Sequence, residues 1–295
     1  MHRLMHRLMP GLTLGPMGWH AALLACLVWP GAAARADAVP SRVVSLNVCT
    51  DQLAMLVARP GQLHSVSYLA RDAGMSAMAG QAAAYEINHG LAEEIFLMKP
   101  DLVLTGAYST RTTVALLRRL GFRVEEFQPE TSFDAVRANL ARMGDLLGNP
   151  GRAKALIAGM DAEIAALKAA GTPRLRTALS FANGYTAGAG TLASEVVRHA
   201  GLENIAETAG MTGIARLPLE LLVLSHPDLI AVGRAGVEGP ALAEENFAHP
   251  AHRALAAATA EASLENRLTV CGGPFTLEAA RVLQDAARRT RSAAP

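Results

Sequence analysis

Four tyrosines, two cysteines and a pair of matched glutamates are the residues of this 295-residue chain whose type and placement could do chemistry. Tyr68, Tyr85, Tyr108 and Tyr185 stand in VSYLARD, AAAYEINHG, TGAYSTR and ANGYTAGAG, segments that read as loops or irregular chain. A tyrosine offers a flat apolar face with a polar tip, which suits a large semi-polar ligand. Arg71, Arg111 and Arg234 lie near such loops, and a guanidinium grips planar anions bidentately. Glu93 and Glu220 occupy two copies of one pattern. LAEEIFLMKPDLVLTG, Leu91 to Gly106, aligns without gaps on PLELLVLSHPDLIAVG, Pro218 to Gly233; the offset, 227 − 100 = 127 for the prolines, also carries Asp101 to Asp228 and Glu93 to Glu220. One glutamate in the first turn of a helix is a favourable dipole contact. Matched glutamates in both halves point to a partner that reads both.

Other chemistries lack their signatures. The sequence holds no HExxH, GxSxG, Walker loop or CxxC, and Gly188-Ala189-Gly190-Thr191 has two of the three glycines of a dinucleotide loop. A secreted enzyme built on Cys49 or Cys271 is the alternative of a different class, and no local motif supports it. Among the histidines past residue 37, His89, beside Tyr85, is the one near the candidate loops; no metal site is expected. With 27 basic and 26 acidic residues the chain has no large single-sign field, which argues against a nucleic-acid groove or a polybasic membrane surface. At 51% hydrophobic and 18% charged it is globular, with room for two cores.

The elements that must position these residues begin after a leader. Arg3 and Arg7, the apolar run Ala21 to Val28 and the small-x-small triplet Ala34-Arg35-Ala36 read as a secretory signal peptide over residues 1–36, placing the mature chain in the periplasm. Lipoprotein processing at Cys26 is the rival, disfavoured by the apolar Leu27-Val28-Trp29 that follows. Cleavage leaves 295 − 36 = 259 residues, no tryptophan, and Cys49 and Cys271 as the only thiols, in an oxidising compartment. Apolar runs at 42–46, 101–104, 122–127, 177–181, 228–232 and 268–270 then read as buried strands, alternating with helical segments at 50–58, 111–120, 191–200 and 274–289. Two helices with no strand between them break the rhythm. One opens at the N-cap Ser132 and stops at Gly148-Asn149-Pro150; the other runs from Arg152 to Ala170. The domain junction is placed there: an N-terminal lobe at 37–148, an interdomain helix at 149–171 and a C-terminal lobe at 172–295.

The leader, SRVVSLNVCTDQLAMLVA, GLAEEIFLMKPDLVLTG, the long central helix and the second PDLIAVG, in this order over residues 41 to 290, resemble the periplasmic substrate-binding proteins of ABC importers for iron chelates, haem and cobalamin. The resemblance implies an α/β fold of two Rossmann-like lobes with mainly parallel sheets, joined by one long interdomain helix, with a ligand in the cleft between them. It implies a monomer that delivers a metal chelate to an ABC permease dimer with its ATPase subunits, holds no permanent cofactor, and docks through Glu93 and Glu220. Ligand contacts then fall to Cys49, Thr50, Tyr68, Arg71, Tyr85, Tyr108, Tyr185, Arg234, Cys271 and Phe275. The family's topology turns Cys49 and Cys271 to the cleft from opposite lobes, leaving three readings: buried inert thiols, the ordinary state of free cysteine; a disulfide across the cleft; or a soft ligand to the metal of the substrate. An iron chelate of siderophore or haem type is placed first as ligand, a corrinoid close behind.

Overall fold

The computed structural model describes residues 38–234 and 245–292; the leader and the Cys26 site lie outside them. From Val43 the chain alternates β1 (Val43–Ser45), α1 (Val48–Val57), β2 (Leu63–Ser67), α2 (Ala79–Ala82), β3 (Glu86–Asn88), α3 (Ala92–Met98), β4 (Leu102–Gly106), α4 (Arg111–Arg119) and β5 (Val124–Phe127). Two consecutive helices follow, α5 (Phe133–Leu146) and α6 (Pro150–Ala169). Alternation then resumes with β6 (Arg176–Ser180), β7 (Tyr185–Ala187), α7 (Leu192–His199), β8 (Glu203–Asn204), α8 (Ile205–Thr208), β9 (Ile214–Arg216), α9 (Leu219–Leu224) and β10 (Leu229–Arg234). α10 (Glu245–Ala248), α11 (Pro250–Ala258), β11 (Ala260–Glu265) and α12 (Thr276–Ser292) complete the described chain.

The strands form two parallel sheets, one on each side of α6 in sequence. The first has the order β3-β2-β1-β4-β5 and the second β11-β10-β6-β8, with β7 and β9 paired antiparallel as a separate ribbon. Parallel strands are covered on both faces, which is why Val43, Val44, Leu102, Val103 and Leu104 in one sheet and Ala178, Leu179, Leu229, Ile230 and Ala231 in the other are fully buried. In such a sheet the crossover direction reverses once, and a crevice opens there beyond the carboxyl ends of the strands. The reversals fall between β1 and β4 and between β6 and β10.

α6 rises about 30 Å at 1.5 Å per residue and is tied at both ends. Pro150 is pre-organised for its first turn. Beside it Asn149 Nδ2 donates to the Val57 carbonyl (2.8 Å), Arg152 Nε to the Leu56 carbonyl (3.0 Å) and the Arg59 guanidinium to the Gly148 carbonyl. At the far end Gln284 Nε2 of α12 donates to the Leu167 carbonyl (2.9 Å), and Arg281 pairs with Glu163. One end of the helix is therefore fastened to α1 and the other to α12.

The sheets depart from the sequence reading at several points, and the short strands β7, β8 and β9 are absent from it. Leu268 to Val270 is no strand: Asn266–Leu268 is a 3-10 turn, and the last strand is β11. β11 lies at a sheet edge and alternates exposed and buried residues, with Ala262 and Leu264 turned inward, so it lacks the continuous apolar run of a central strand. β2 and β3 are also absent from that reading, because LHSVS dilutes its apolar residues with His64 and two serines and EIN is three residues long.

Candidate functional site

Asn47 caps α1 by accepting the Cys49 N–H at Oδ1 (3.0 Å), which sets Cys49 in the first turn after β1. Cys271 follows β11 and the 3-10 turn. The two are joined in a disulfide spanning 222 residues, with Cα atoms 5.0 Å apart. The bridge brings the segment after β1 of the first sheet against the segment after β11 of the second. It replaces the ordinary reading of two inert thiols, and the bonded sulfurs leave no thiolate to ligate a metal. Beside it the Gly272 N–H donates to Glu130 Oε2 (3.3 Å). A Cβ at Gly272 would lie 2.4 Å from the Glu130 Cβ and 2.5 Å from a Val136 methyl, so the crossing requires glycine. Burial there pushes the Glu130 carboxyl above the usual range, against the opposing hydrogen bonds from Asn139 and Gly272.

Tyr68 and Tyr108 stand in the segments that follow β2 and β4, and Tyr185 opens β7 after the turn that follows β6. Tyr108, after β4, is 88% exposed and borders a hollow of about 490 Å³ with Gly106, Ser109, Arg111 and Gln128. Tyr68, after β2, is 53% exposed and stacks on His89 at 5.7 Å. Tyr185, after β6, is 37% exposed, with the Arg216 guanidinium 5.4 Å from its ring centroid. Arg234 closes β10 at the second reversal, and its side chain lies outside the description. Phe275 is half-buried beside Gly273.

Other expected contacts have partners within the fold. Tyr85 stands at the amino end of β3 with its ring packed on the core of the first sheet. Thr50 is buried; its Oγ1 donates to the Asn47 carbonyl (3.0 Å) and meets Ser45 Oγ at 2.8 Å. Arg71 directs its guanidinium at backbone, Nη2 donating to the Tyr85 carbonyl (2.8 Å).

Two further groups escaped sequence reasoning. Asp51, one turn into α1, accepts from Ser67 Oγ (2.5 Å) and Ser67 N (3.1 Å) and so braces the loop that carries Tyr68. Burial raises its carboxyl to about 7, against the hydrogen bonds from Ser45 and Ser67. An acid in the otherwise buried stretch Val48 to Val57 was the available signal. In the second lobe a hollow of about 160 Å³ is lined by Ser180, Tyr185, Leu217, Leu222, His249 and His252. His252 is buried with Nε2 3.3 Å from Ser180 Oγ, and desolvation lowers its pKa and favours the neutral ring. The spacing HPAH gave no hint that Ser180 would meet it.

The internal repeat holds in three dimensions. Lys99 and His226 both end their helices in the left-handed region, at φ 49° and 42°. Asp101 N then donates to the Arg42 carbonyl (3.0 Å) and Asp228 N to the Arg176 carbonyl (2.8 Å), tying each turn to the neighbouring strand. Glu93 and Glu220 are exposed in the first turns of α3 and α9, and neither has an ion-pair partner among the described residues.

Two parallel α/β lobes, joined by one helix fastened to both and cross-linked by the Cys49–Cys271 bridge, are the architecture of a two-lobed binding protein whose lobes are bridged by a helix. The chain belongs to the periplasmic binding protein family, whose model matches residues 43–262. Among curated relatives it is 30% identical over 202 residues to a cobalamin-binding protein of Halobacterium salinarum; the match covers 67% of this chain and 55% of that relative, so the chain spans about half the relative's length. Solved structures with the same fold include the periplasmic vitamin B12 binding protein of Vibrio cholerae (TM-score 0.63, 20% identity, 86% of this chain and 98% of that one). The periplasmic haem-binding protein of Roseiflexus sp. RS-1 is similar (TM-score 0.65, 21% identity, 85% and 98%). So is an Fe3+-hydroxamate transport protein of Saccharomonospora viridis (TM-score 0.64, 18% identity, 84% and 93%). Among the described residues no helix is long and apolar enough to cross a membrane.

Proposed function

We propose that this chain is the periplasmic capture component of an ABC importer, that it takes a metal chelate into the cleft beside the Cys49–Cys271 bridge, and that it acts without catalysis. The lobes are assigned to 37–148 and 172–295 with 149–171 between them, and the leader 1–36 directs export. The observation that carries the reading is the exposure of Tyr68 and Tyr108, on the segments after β2 and β4, and of Tyr185, at the start of β7, in lobes that the Cys49–Cys271 bridge ties together. Aromatic faces on opposing rims suit a large ligand with flat or apolar faces and polar periphery, which fits cobalamin, haem and ferric siderophores alike. The relatives that match by sequence are named for cobalamin, so a corrinoid heads the ligands to test, with iron chelates beside it.

Delivery is assigned to Glu93 and Glu220, unpaired carboxylates that would meet cations on the two halves of a permease dimer and orient docking. The deciding experiment is thermal melting of residues 37–295 against cyanocobalamin, haemin and ferric hydroxamates, with free Co2+ and Fe3+ as controls. A ligand that binds only the folded state raises the melting temperature with its concentration. The expected result is a saturable rise with one chelate and none with the bare ions. A flat response to every chelate would overturn the ligand class.

A further inference from the structure

The matched helices α3 and α9 share more than their glutamates. Across Ala92–Met98 and Leu219–Ser225, two positions alone are identical: Glu93 with Glu220, and Leu97 with Leu224. Packing does not explain the second identity. At the aligned core position the helices carry Ile95 in one and Leu222 in the other, both buried, so the interior tolerates exchange. Leu97 is 76% exposed and Leu224 71%. A single exposed leucine is ordinary. Two at the same register of a duplicated unit, each one helical turn from an unpaired carboxylate, form a repeated patch of acid and apolar side chain on one helix face. The left-handed residue and the Pro-Asp turn that end both helices set them alike on their sheets.

We propose that Leu97 and Leu224 are paired apolar anchors for a two-fold symmetric partner, the permease dimer, each leucine seated beside the site that receives the glutamate of its lobe. This rests on the docking assignment of Glu93 and Glu220. A partner with two equivalent surfaces is what a duplicated patch fits, since each lobe then presents the same pair to each half. The roles divide by physics. The carboxylates act at range, speed encounter and are screened by salt; the leucines act once desolvated and set how long the complex lasts.

The test is binding of the full mature chain to its permease–ATPase complex in nanodiscs, followed by surface plasmon resonance at low and high salt. The variants are Leu97→Asp with Leu224→Asp, Leu97→Met with Leu224→Met, and Glu93→Gln with Glu220→Gln. Because both leucines are exposed, the melting temperature of the Asp pair should stay at the wild-type value, which checks folding. The Asp pair is expected to bind at least about tenfold more weakly, mostly through faster dissociation, with the loss persisting at high salt. The Met pair should bind within about twofold of wild type, since it keeps the apolar volume. If the Asp pair binds like wild type while the Gln pair is weakened, the leucines carry nothing and the docking assignment survives. If neither pair is weakened, the docking assignment fails together with the anchors.

Discussion

The two lobes repeat one construction in the helices α3 and α9 and diverge in the segments that follow their strands. The two helices share a glutamate, a leucine, a left-handed terminal residue and a Pro-Asp turn. After its strands the first lobe presents Tyr68 and Tyr108, the latter nearly free of its surroundings, and a buried carboxylate at Asp51. The second presents Tyr185 under Arg216, beside a hollow lined by His249 and His252. On the proposed function the difference has a cause. A symmetric permease dimer rewards sameness on the docking face, whereas a chelate with unlike faces rewards unlike walls.

The largest effect should come from cutting the disulfide that cross-links the lobes. A cross-link closing a loop of 222 residues restricts the unfolded chain heavily, and removing it by Cys49→Ser with Cys271→Ser should cost about 4 kcal/mol. Urea unfolding with and without a phosphine reductant measures it. Wild type in reductant should fall toward the variant, and identical midpoints throughout would mean the lobes hold together without the bridge.

Among the described residues no carboxylate of the second lobe is buried as Asp51 is, which makes it the next test. Its carboxyl is raised in the folded state, so the folded chain binds more protons than the unfolded chain between about pH 4 and pH 7. The contribution to stability is therefore full at the acidic end of that window and falls as pH rises through it. Asp51→Asn should flatten this slope and recover on the order of 2–3 kcal/mol at pH 8. The difference between wild-type and variant unfolding free energies against pH reports it directly, and parallel curves would remove the buried carboxylate from the account.

The unlike rims predict unlike losses of ligand. Arg216 holds the Tyr185 ring before any ligand arrives, so its contact costs little ordering, whereas Tyr108 must be immobilised on binding. By calorimetry with the chelate that raises the melting temperature, Tyr185→Ala should weaken binding about tenfold and Tyr108→Ala about threefold. Arg216→Ala should bring the cost of losing Tyr185 down toward that of Tyr108.

Much of this was legible before the structure, for identifiable reasons. The central strands are apolar runs, the α5–α6 pair carries its stop signals at Gly148-Asn149-Pro150, and the repeat is a gapless alignment, all local properties of sequence. The edge strand β11 was not legible, because half of it faces solvent. At the candidate site the rule of loop position picked out Tyr68, Tyr108 and Tyr185, which are exposed, and also Tyr85, whose ring is half-buried against the core. Residue type made Arg71 and Thr50 candidates, and only the structure shows their partners, the Tyr85 carbonyl and the Asn47 carbonyl. The bridge, the Glu130–Gly272 contact and the Ser180–His252 pair join residues 72 to 222 positions apart, and nothing local encodes such meetings.

The smallest predicted difference probes the repeat at its most similar point. Asp101 accepts from Ser41 N (2.6 Å), Ser41 Oγ (2.8 Å) and Arg42 N (2.9 Å), whereas Asp228 accepts from Arg176 N (2.8 Å). Partial burial pushes the Asp101 carboxyl up, but these donors together outweigh it and hold it below the usual range. Both turns are partly wet, so water replaces some of what is lost on truncation. Asp101→Ala should cost about 1–2 kcal/mol and Asp228→Ala less than about 1 kcal/mol. The advantage of wild type over Asp101→Ala is present above the ordinary carboxylate pKa of about 4 and is lost as pH falls through the lower folded value. Equal costs for the two aspartates would mean that the turn itself, and not the number of donors gathered on its carboxylate, sets what each copy contributes.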